Sequence, residues 1–165
     1  MAERIKSNNR LSRHFDRAIR VTGQRSIRFP EPWEDSATMA AQASLMLTSR
    51  LTDELRKGIR YITVGTETGV DHSKPISAYV QGMLESTGID LPRNLSSYQV
   101  QHACAGGTIA MLSVAAMLQV SGRNRESGLA ICSDIARYQT HSTAELTQGA
   151  GSVALSVDSD PSLIE

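Results

Sequence analysis

Apolar and polar positions fall into blocks whose periods separate helix from strand. "SATMAAQASLMLTSRL", from Ser36, predicts a helix, and "FPEPWED" before it reads as a proline-punctuated loop ending in acids suited to a helix N-terminus. "GIRYITVGTET" turns β-branched and apolar, which predicts a buried strand over Tyr61–Gly65. In "SKPISAYVQGMLESTG", Ile76, Tyr79, Val80, Met83 and Leu84 recur at helical spacing. Ser73 stands where a cap belongs, Pro75 in the first turn and Gly88 at the end. "SSYQVQHA" alternates as a short strand, and "SGLAICSDIA" and "AGSVALSVD" predict two more. "GGTIAMLSVAAMLQVSG" is apolar nearly all round, the pattern of a helix buried on every side. Residues 1–28 predict helix or irregular chain without a strand. Strands alternating with helices imply an α/β layered fold with a mostly parallel sheet.

Composition narrows the class. At 165 residues the chain can bury one core but not two comfortable ones, and 40% hydrophobic with 21% charged residues is ordinary for a soluble globular protein. Cys104 and Cys132 form neither a disulfide framework nor a zinc pattern, which suits a reducing, cytoplasmic compartment. No apolar run is expected to span a bilayer or to serve as a signal peptide; "IAMLSVAAMLQV" reads as core. No membrane or nucleic-acid partner is expected.

The net charge is zero but uneven. Residues 1–28 carry eight basic side chains (Arg4, Lys6, Arg10, Arg13, Arg17, Arg20, Arg25, Arg28) against Glu3 and Asp16. A solvated helical face is the base reading; a phosphate-attracting surface and an Arg-rich transit peptide are the alternatives.

Candidate chemistry gathers where strands end. Cys104, in "QHACAGGT", lies where a strand gives way to an apolar helix, and a helix N-terminus presents free N–H groups to an anion. Gly106 and Gly107 there could let a substrate approach the backbone. A packed, unreactive Cys104 fits the same pattern, since free cysteine is often simply buried. Cys132, inside "LAICSD", reads as core. His102 lies two residues from Cys104, but a dyad is disfavoured because Cys104 has already entered the turn. His14, His72 and His141 read as surface residues. Glu67, directly after a buried strand, is costly there unless it ends in a site or finds partners, and ligands of open α/β sheets bind outside strand carboxyl ends. A solvated or capping glutamate is the alternative. "GAGSVA", from Gly149, imitates a dinucleotide fingerprint but precedes a strand, so a nicotinamide site is rejected and tight backbone packing expected instead.

Taken together, "GQRSIRFPEPWEDSATMAAQA", "VGTETGVDHSKP", "QHACAGGTIAM", "SDIARYQTHSTAELTQGAGSVAL" and "DPSLIE", in that order from Gly23 to the end, resemble the 3-hydroxy-3-methylglutaryl-CoA synthases of the thiolase superfamily. The resemblance implies a thiolase-like layered fold and condensation of acetyl-CoA with acetoacetyl-CoA, with no cofactor beyond these CoA thioesters. It implies Cys104 as the nucleophile that takes the acetyl group and Glu67 as the general acid/base. It also implies Asp134 and Tyr138 near the acyl pocket, and a homodimer joined through "SSYQVQHA".

Two departures from the family pattern matter. Ala105 stands where the family often has an aromatic residue. Family enzymes are more than twice as long, with a second half that supplies a catalytic histidine and asparagine. Residues 1–165 are therefore expected to be a partial N-terminal domain lacking its first strand and its C-terminal half, and inactive alone. A ketoacyl synthase of the type that starts fatty acid synthesis is the nearest rival, separated by its having no need of Glu67. A non-catalytic half-subunit that completes a partner's site is the other.

Overall fold

The computed structural model of the protein describes residues 9–140 and 142–159. "DPSLIE" from Asp160 and His141 lie outside the described residues, as does the side chain of His14. The elements in chain order are α1 (Asn9–Thr22), α2 (Ser36–Thr48), α3 (Asp53–Gly58), β1 (Ile59–Thr66), α4 (Ile76–Ser86), β2 (Ser96–Gln101), a 3-10 turn (Ala103–Ala105), α5 (Gly106–Ser121), β3 (Ser127–Ala136), a second 3-10 turn (Thr143–Thr147) and β4 (Gly149–Asp158).

The sheet order is β2-β1-β3-β4, with β1 parallel to β2 and β3, and β3 antiparallel to β4. This is the mostly parallel α/β layering expected. Parallel neighbours put the carboxyl ends of β1, β2 and β3 at one end of the sheet, which is where Glu67, Cys104 and the residues after Asp134 emerge.

Local chemistry fixes the helix starts. Asp35 caps α2: its carboxylate accepts from the Thr38 N–H at 2.7 Å, and its own N–H donates to Thr38 Oγ1 at 2.8 Å, a reciprocal capping box. Ser73 does not cap α4. Pro75 is the N-cap residue and offers no side-chain bond, while the Ser73 N–H donates to Asp71 Oδ1 at 2.7 Å, so Ser73 is committed to the loop. Gly88 does end α4, at φ 86°: its N–H reaches Glu85 O and the Ile89 N–H reaches Leu84 O, a Schellman turn that needs the left-handed conformation.

Two layers flank the sheet. On one face α2 and α4 close a core of Ala37, Ala40, Ile62, Val64, Val80 and Ile131 with their neighbours. On the other, α5 packs through Val114 and Leu118 against Ala130, with Tyr61 and Val157 alongside.

α5 is not buried on every side. Gly106, Ala110, Val114 and Leu118 form its buried stripe, while Leu112 and Val120 are exposed, because the sheet covers one flank and no other described element covers the rest. With its preceding turn, Ala103–Ser121 is also long and apolar enough by length and composition to cross a membrane, contrary to expectation, although a core helix passes the same test. Its Val114 and Leu118 sit on the sheet.

At the amino-terminal side, Asp16, Arg17 and Arg20 of α1, and Arg25 and Arg28 after it, are exposed or partly so, as in a solvated basic face.

Candidate active site

β1 carries Glu67 out of the sheet through an ordered polar cradle. Asp134, on β3 and 68 residues away from Thr66, accepts four hydrogen bonds at one oxygen. The donors are Thr66 Oγ1 (2.8 Å), the Glu67 N–H (2.7 Å), the Thr68 N–H (3.1 Å) and Thr68 Oγ1 (2.8 Å). Thr68 Oγ1 also accepts from the Ile135 N–H at 3.0 Å. Ser36, at the start of α2, donates to Thr68 O at 2.6 Å, and Ser133 donates to Ser36 O at 2.7 Å. Thr66, the last residue of β1, and Glu67 and Thr68 after it are thus tied to β3 and to α2. Glu67 is half-buried, and its carboxylate has no hydrogen-bond or ion-pair partner among the described residues. A carboxylate held by its backbone and left open at its tip can serve an incoming group.

Cys104 sits in the 3-10 turn that follows β2 and opens α5. Its thiol is exposed. Ala103, directly before it, has φ 37°, a backbone region that a residue with a Cβ rarely adopts. Such strain clusters at active sites, where surrounding structure holds it in place. Ala105, the N-cap of α5, offers no side-chain bond to the helix start. His102 is exposed, and no hydrogen bond joins it to Cys104, as the spacing argument expected.

The missing side chains of Gly106 and Gly107 let α5 close onto the sheet. A Cβ at Gly65 would strike the backbone of Gly106 and Gly107, and a Cβ at Gly106 would come within 3.2 Å of the Thr66 nitrogen. A Cβ at Gly107 would strike the sulfur of Cys132. These close approaches bring the start of α5 onto β1 and β3, so the segments bearing Cys104 and Glu67 meet at Gly65, Thr66 and Gly106.

Cys132 is a correction. It faces the α5 side of β3 against Gly107, and it stays exposed because the residue of α5 that lies over it has no side chain. Burial of its sulfur pushes the thiol above its ordinary value of 9.0, the Asp134 carboxylate adds to this, and the Gly107 N–H opposes it. Cys132 and Asp134 line an open depression of about 380 Å³ with Thr147, Gly149, Gly151 and Val153. Tyr138 is 40% exposed and, like Cys104, does not line that depression. Tight packing also fails as the reason for "GAGSVA". A Cβ at Gly151 would meet nothing within 4 Å, and one at Gly149 would come no closer than 3.6 Å to Arg28 O. His72 is exposed as expected. Among the described residues no cluster of three metal-ligating side chains occurs.

Sequence reasoning missed the groups that hold Glu67 in place. The threonines on both sides of it in "VGTETG" were the available signal, since two hydroxyls next to one carboxylate suggest a hydrogen-bonded cradle.

Residues 17–162 match the family described as hydroxymethylglutaryl-coenzyme A synthase N terminal. The hydroxymethylglutaryl-CoA synthase of Haloferax volcanii is 38% identical over 140 residues, which are 83% of this chain and 31% of that relative. PksG of Bacillus subtilis, a polyketide biosynthesis 3-hydroxy-3-methylglutaryl-ACP synthase, is 26% identical over 144 residues, 81% of this chain and 33% of that protein. A solved structure of MvaS in complex with 3-hydroxy-3-methylglutaryl coenzyme A superimposes with a TM-score of 0.72 at 36% identity, covering 88% of this chain and 35% of the other. The fold is thiolase-like, and the chain spans about a third of the length of the relatives it matches. By sequence over most of its length and by structure, the chain belongs to the hydroxymethylglutaryl-CoA synthase family.

Proposed function

We propose that this chain supplies the nucleophile and the acid/base carboxylate of a synthase that condenses acetyl-CoA with acetoacetyl-CoA to 3-hydroxy-3-methylglutaryl-CoA. The observation that carries the reading is the meeting of two segments at one end of the sheet. β1 ends in Glu67 within its polar cradle, and β2 runs beside it into the exposed Cys104, with Gly65 against Gly106 where they join.

In this reading the Cys104 thiolate attacks the acetyl thioester, CoA leaves as its thiol, and an acetyl-cysteine forms. A proton then leaves the acetyl methyl group, and the new carbon nucleophile attacks the ketone of acetoacetyl-CoA. The resulting alkoxide takes up a proton. Glu67 handles this proton traffic, a role that typically contributes about 10²- to 10⁴-fold. Water finally cleaves the enzyme thioester and frees Cys104. Asp134 supports the reading by holding the Glu67 backbone, and Tyr138 and the N–H groups of Gly106 and Gly107 are the candidates nearest the acyl group. No cofactor beyond the CoA thioesters takes part, and the reaction runs in the cytoplasm. CoA is favoured over a carrier protein as the donor because the relative named for CoA is 38% identical and the one named for the carrier protein 26%.

The remaining catalytic groups come from the C-terminal region of a complete synthase, so the 165 residues alone give no turnover. β2 is an edge strand without proline or lysine, which supports a homodimer joined through residues 97–102. Glu67 argues against the ketoacyl synthase alternative.

The test is intact-protein mass spectrometry of this chain joined to the C-terminal region of a family member. Acetyl-CoA adds one acetyl group, Cys104→Ala takes up none, and Glu67→Ala takes it up but stalls before carbon–carbon bond formation. Acetyl uptake by Cys104→Ala would misassign the nucleophile, and normal condensation by Glu67→Ala would return that residue to a structural role. Absence of uptake by the unmutated protein would favour the non-catalytic half-subunit.

A further inference from the structure

Pro75 leaves the N-terminus of α4 without a side-chain cap of its own. The missing acceptor comes from another strand. Gln99, on β2 and 23 residues further along, accepts from the Ile76 N–H through Oε1 at 2.9 Å. This bond satisfies one of the orphan donors of the helix start, the service a local Ser or Asp usually provides. The other end of the same amide lies against the opposite end of the loop. A Cβ at Gly69 would come within 3.1 Å of Gln99 Nε2, so glycine at that position lets the loop close down on the amide.

That loop leaves Glu67 and enters α4. Asp134 fixes its first residues, through Glu67 and Thr68. Gln99 bonds it at Ile76 and lies beside it at Gly69. Between those points Asp71 braces the turn, accepting from the Ser73 and Lys74 N–H groups at 2.7 and 3.1 Å and from the Tyr79 hydroxyl at 3.0 Å. β2 itself continues into the turn that bears Cys104. One side chain on the nucleophile's strand therefore bonds one flank of the loop that carries the carboxylate and lies beside the other.

We infer that Gln99 is a positioning residue, which sets the Glu67 loop against the strand leading to Cys104. The inference rests on the roles of Cys104 and Glu67 proposed above, but its structural content can be read without turnover. Glutamate at position 99 keeps the acceptor and the length and places a negative charge at a helix N-terminus, where it is favoured. Leucine keeps much of the bulk and removes the acceptor.

The experiment is amide hydrogen exchange by NMR on the 165-residue chain, comparing the unmutated protein with Gln99→Leu and Gln99→Glu. Gln99→Leu speeds exchange of the Ile76 amide roughly five- to tenfold, the scale of one lost hydrogen bond. It also shifts the Glu67 amide resonance, and it leaves exchange in the interior of β3 unchanged. Gln99→Glu keeps both signals at their original values. Three results would overturn the inference: Ile76 exchange unaffected by leucine, a Glu67 resonance that does not move, or a loss of protection spread equally through β3, which marks Gln99 as a general stability residue. Failure of the Gln99→Glu variant to keep the original signals counts against it as well. If the exchange results hold while Cys104 takes up no acetyl group, the functional reading falls and the brace stands.

Discussion

The two faces of the sheet are packed by opposite means. On the α2 and α4 side, bulk fills the space: Ile62, Val64, Ile76, Val80 and Ile131 have essentially no exposed surface. On the α5 side, absence of bulk brings the layers together. Gly65 meets Gly106, Gly107 meets Cys132, and a Cβ at Gly128 would lie 2.5 Å from Val114 Cγ1. The first arrangement makes a core that is indifferent to the chemistry at the strand ends. The second makes the position of a helix, and with it Cys104, depend on the smallness of a few residues. Outward from that contact the comparison sharpens, because Leu112 is 59% and Val120 88% exposed. An apolar surface of that kind marks an interaction face.

The largest effect separating the faces should come from Ile62→Ala. Deleting a fully buried Ile side chain costs about 2–5 kcal/mol, read as a lower denaturant midpoint. A cost under about 1 kcal/mol would mean that the bulky face is looser than its burial implies. Gly65→Ala should cost about 1–3 kcal/mol by overpacking. Because the obstacle is backbone, it should also displace the start of α5 and change the rate at which Cys104 reacts with a thiol reagent. Ile62→Ala should leave that rate alone. Equal thiol reactivity in both variants would break the distinction between a filling face and a positioning face. Leu112→Ser should change the stability of this chain by no more than about 0.5 kcal/mol. A cost matching that of Ile62→Ala would show the outer side of α5 to be covered after all.

The smallest effect concerns pH. The Cys132 thiol titrates above its ordinary value of 9.0 in the folded chain, chiefly because its sulfur is partly buried. The folded state therefore favours the protonated form. That preference is fully present below the ordinary value and is lost as pH rises through the raised one. Cys132→Ala should accordingly show a flatter thermal midpoint between about pH 8 and 10 than the unmutated chain. Parallel curves would remove Asp134 and burial as influences on this thiol.

Much of the fold was legible in sequence because its signals are local. The β-branched run of "YITVG" marks β1 whatever surrounds it, and Asp35 and Gly88 announce helix ends through backbone chemistry of their own. Glu67 and Cys104 stood out as candidates because strand ends are where such residues need explaining. Burial was legible only in part. An apolar helix states that it can be covered, not what covers it, so α5 reads as buried all round, and Cys132 misleads for the same reason. The cap of α4 fails differently: Ser73 has the right chemistry at the right place, and a glutamine 23 residues downstream of Ile76 takes the role. Asp134, expected near the acyl pocket, holds the Glu67 backbone across a separation of 67 residues. Pairings at that distance leave no periodicity to read.

The strand order sets the sequence in which the molecule can assemble. β3 and β4 are antiparallel neighbours along the chain, so they can zip together early as a hairpin with a long connection. β1 sits between β2 and β3, both parallel to it, and neither pairing can form until a long loop has closed. Closure entropy must be overcome before those contacts give anything back, which makes central parallel pairing the slow stage of folding. The Thr66–Asp134 bond spans 68 residues and belongs to that stage. The cradle around Glu67, and its placement beside Cys104, are therefore completed only when the middle strand is locked in.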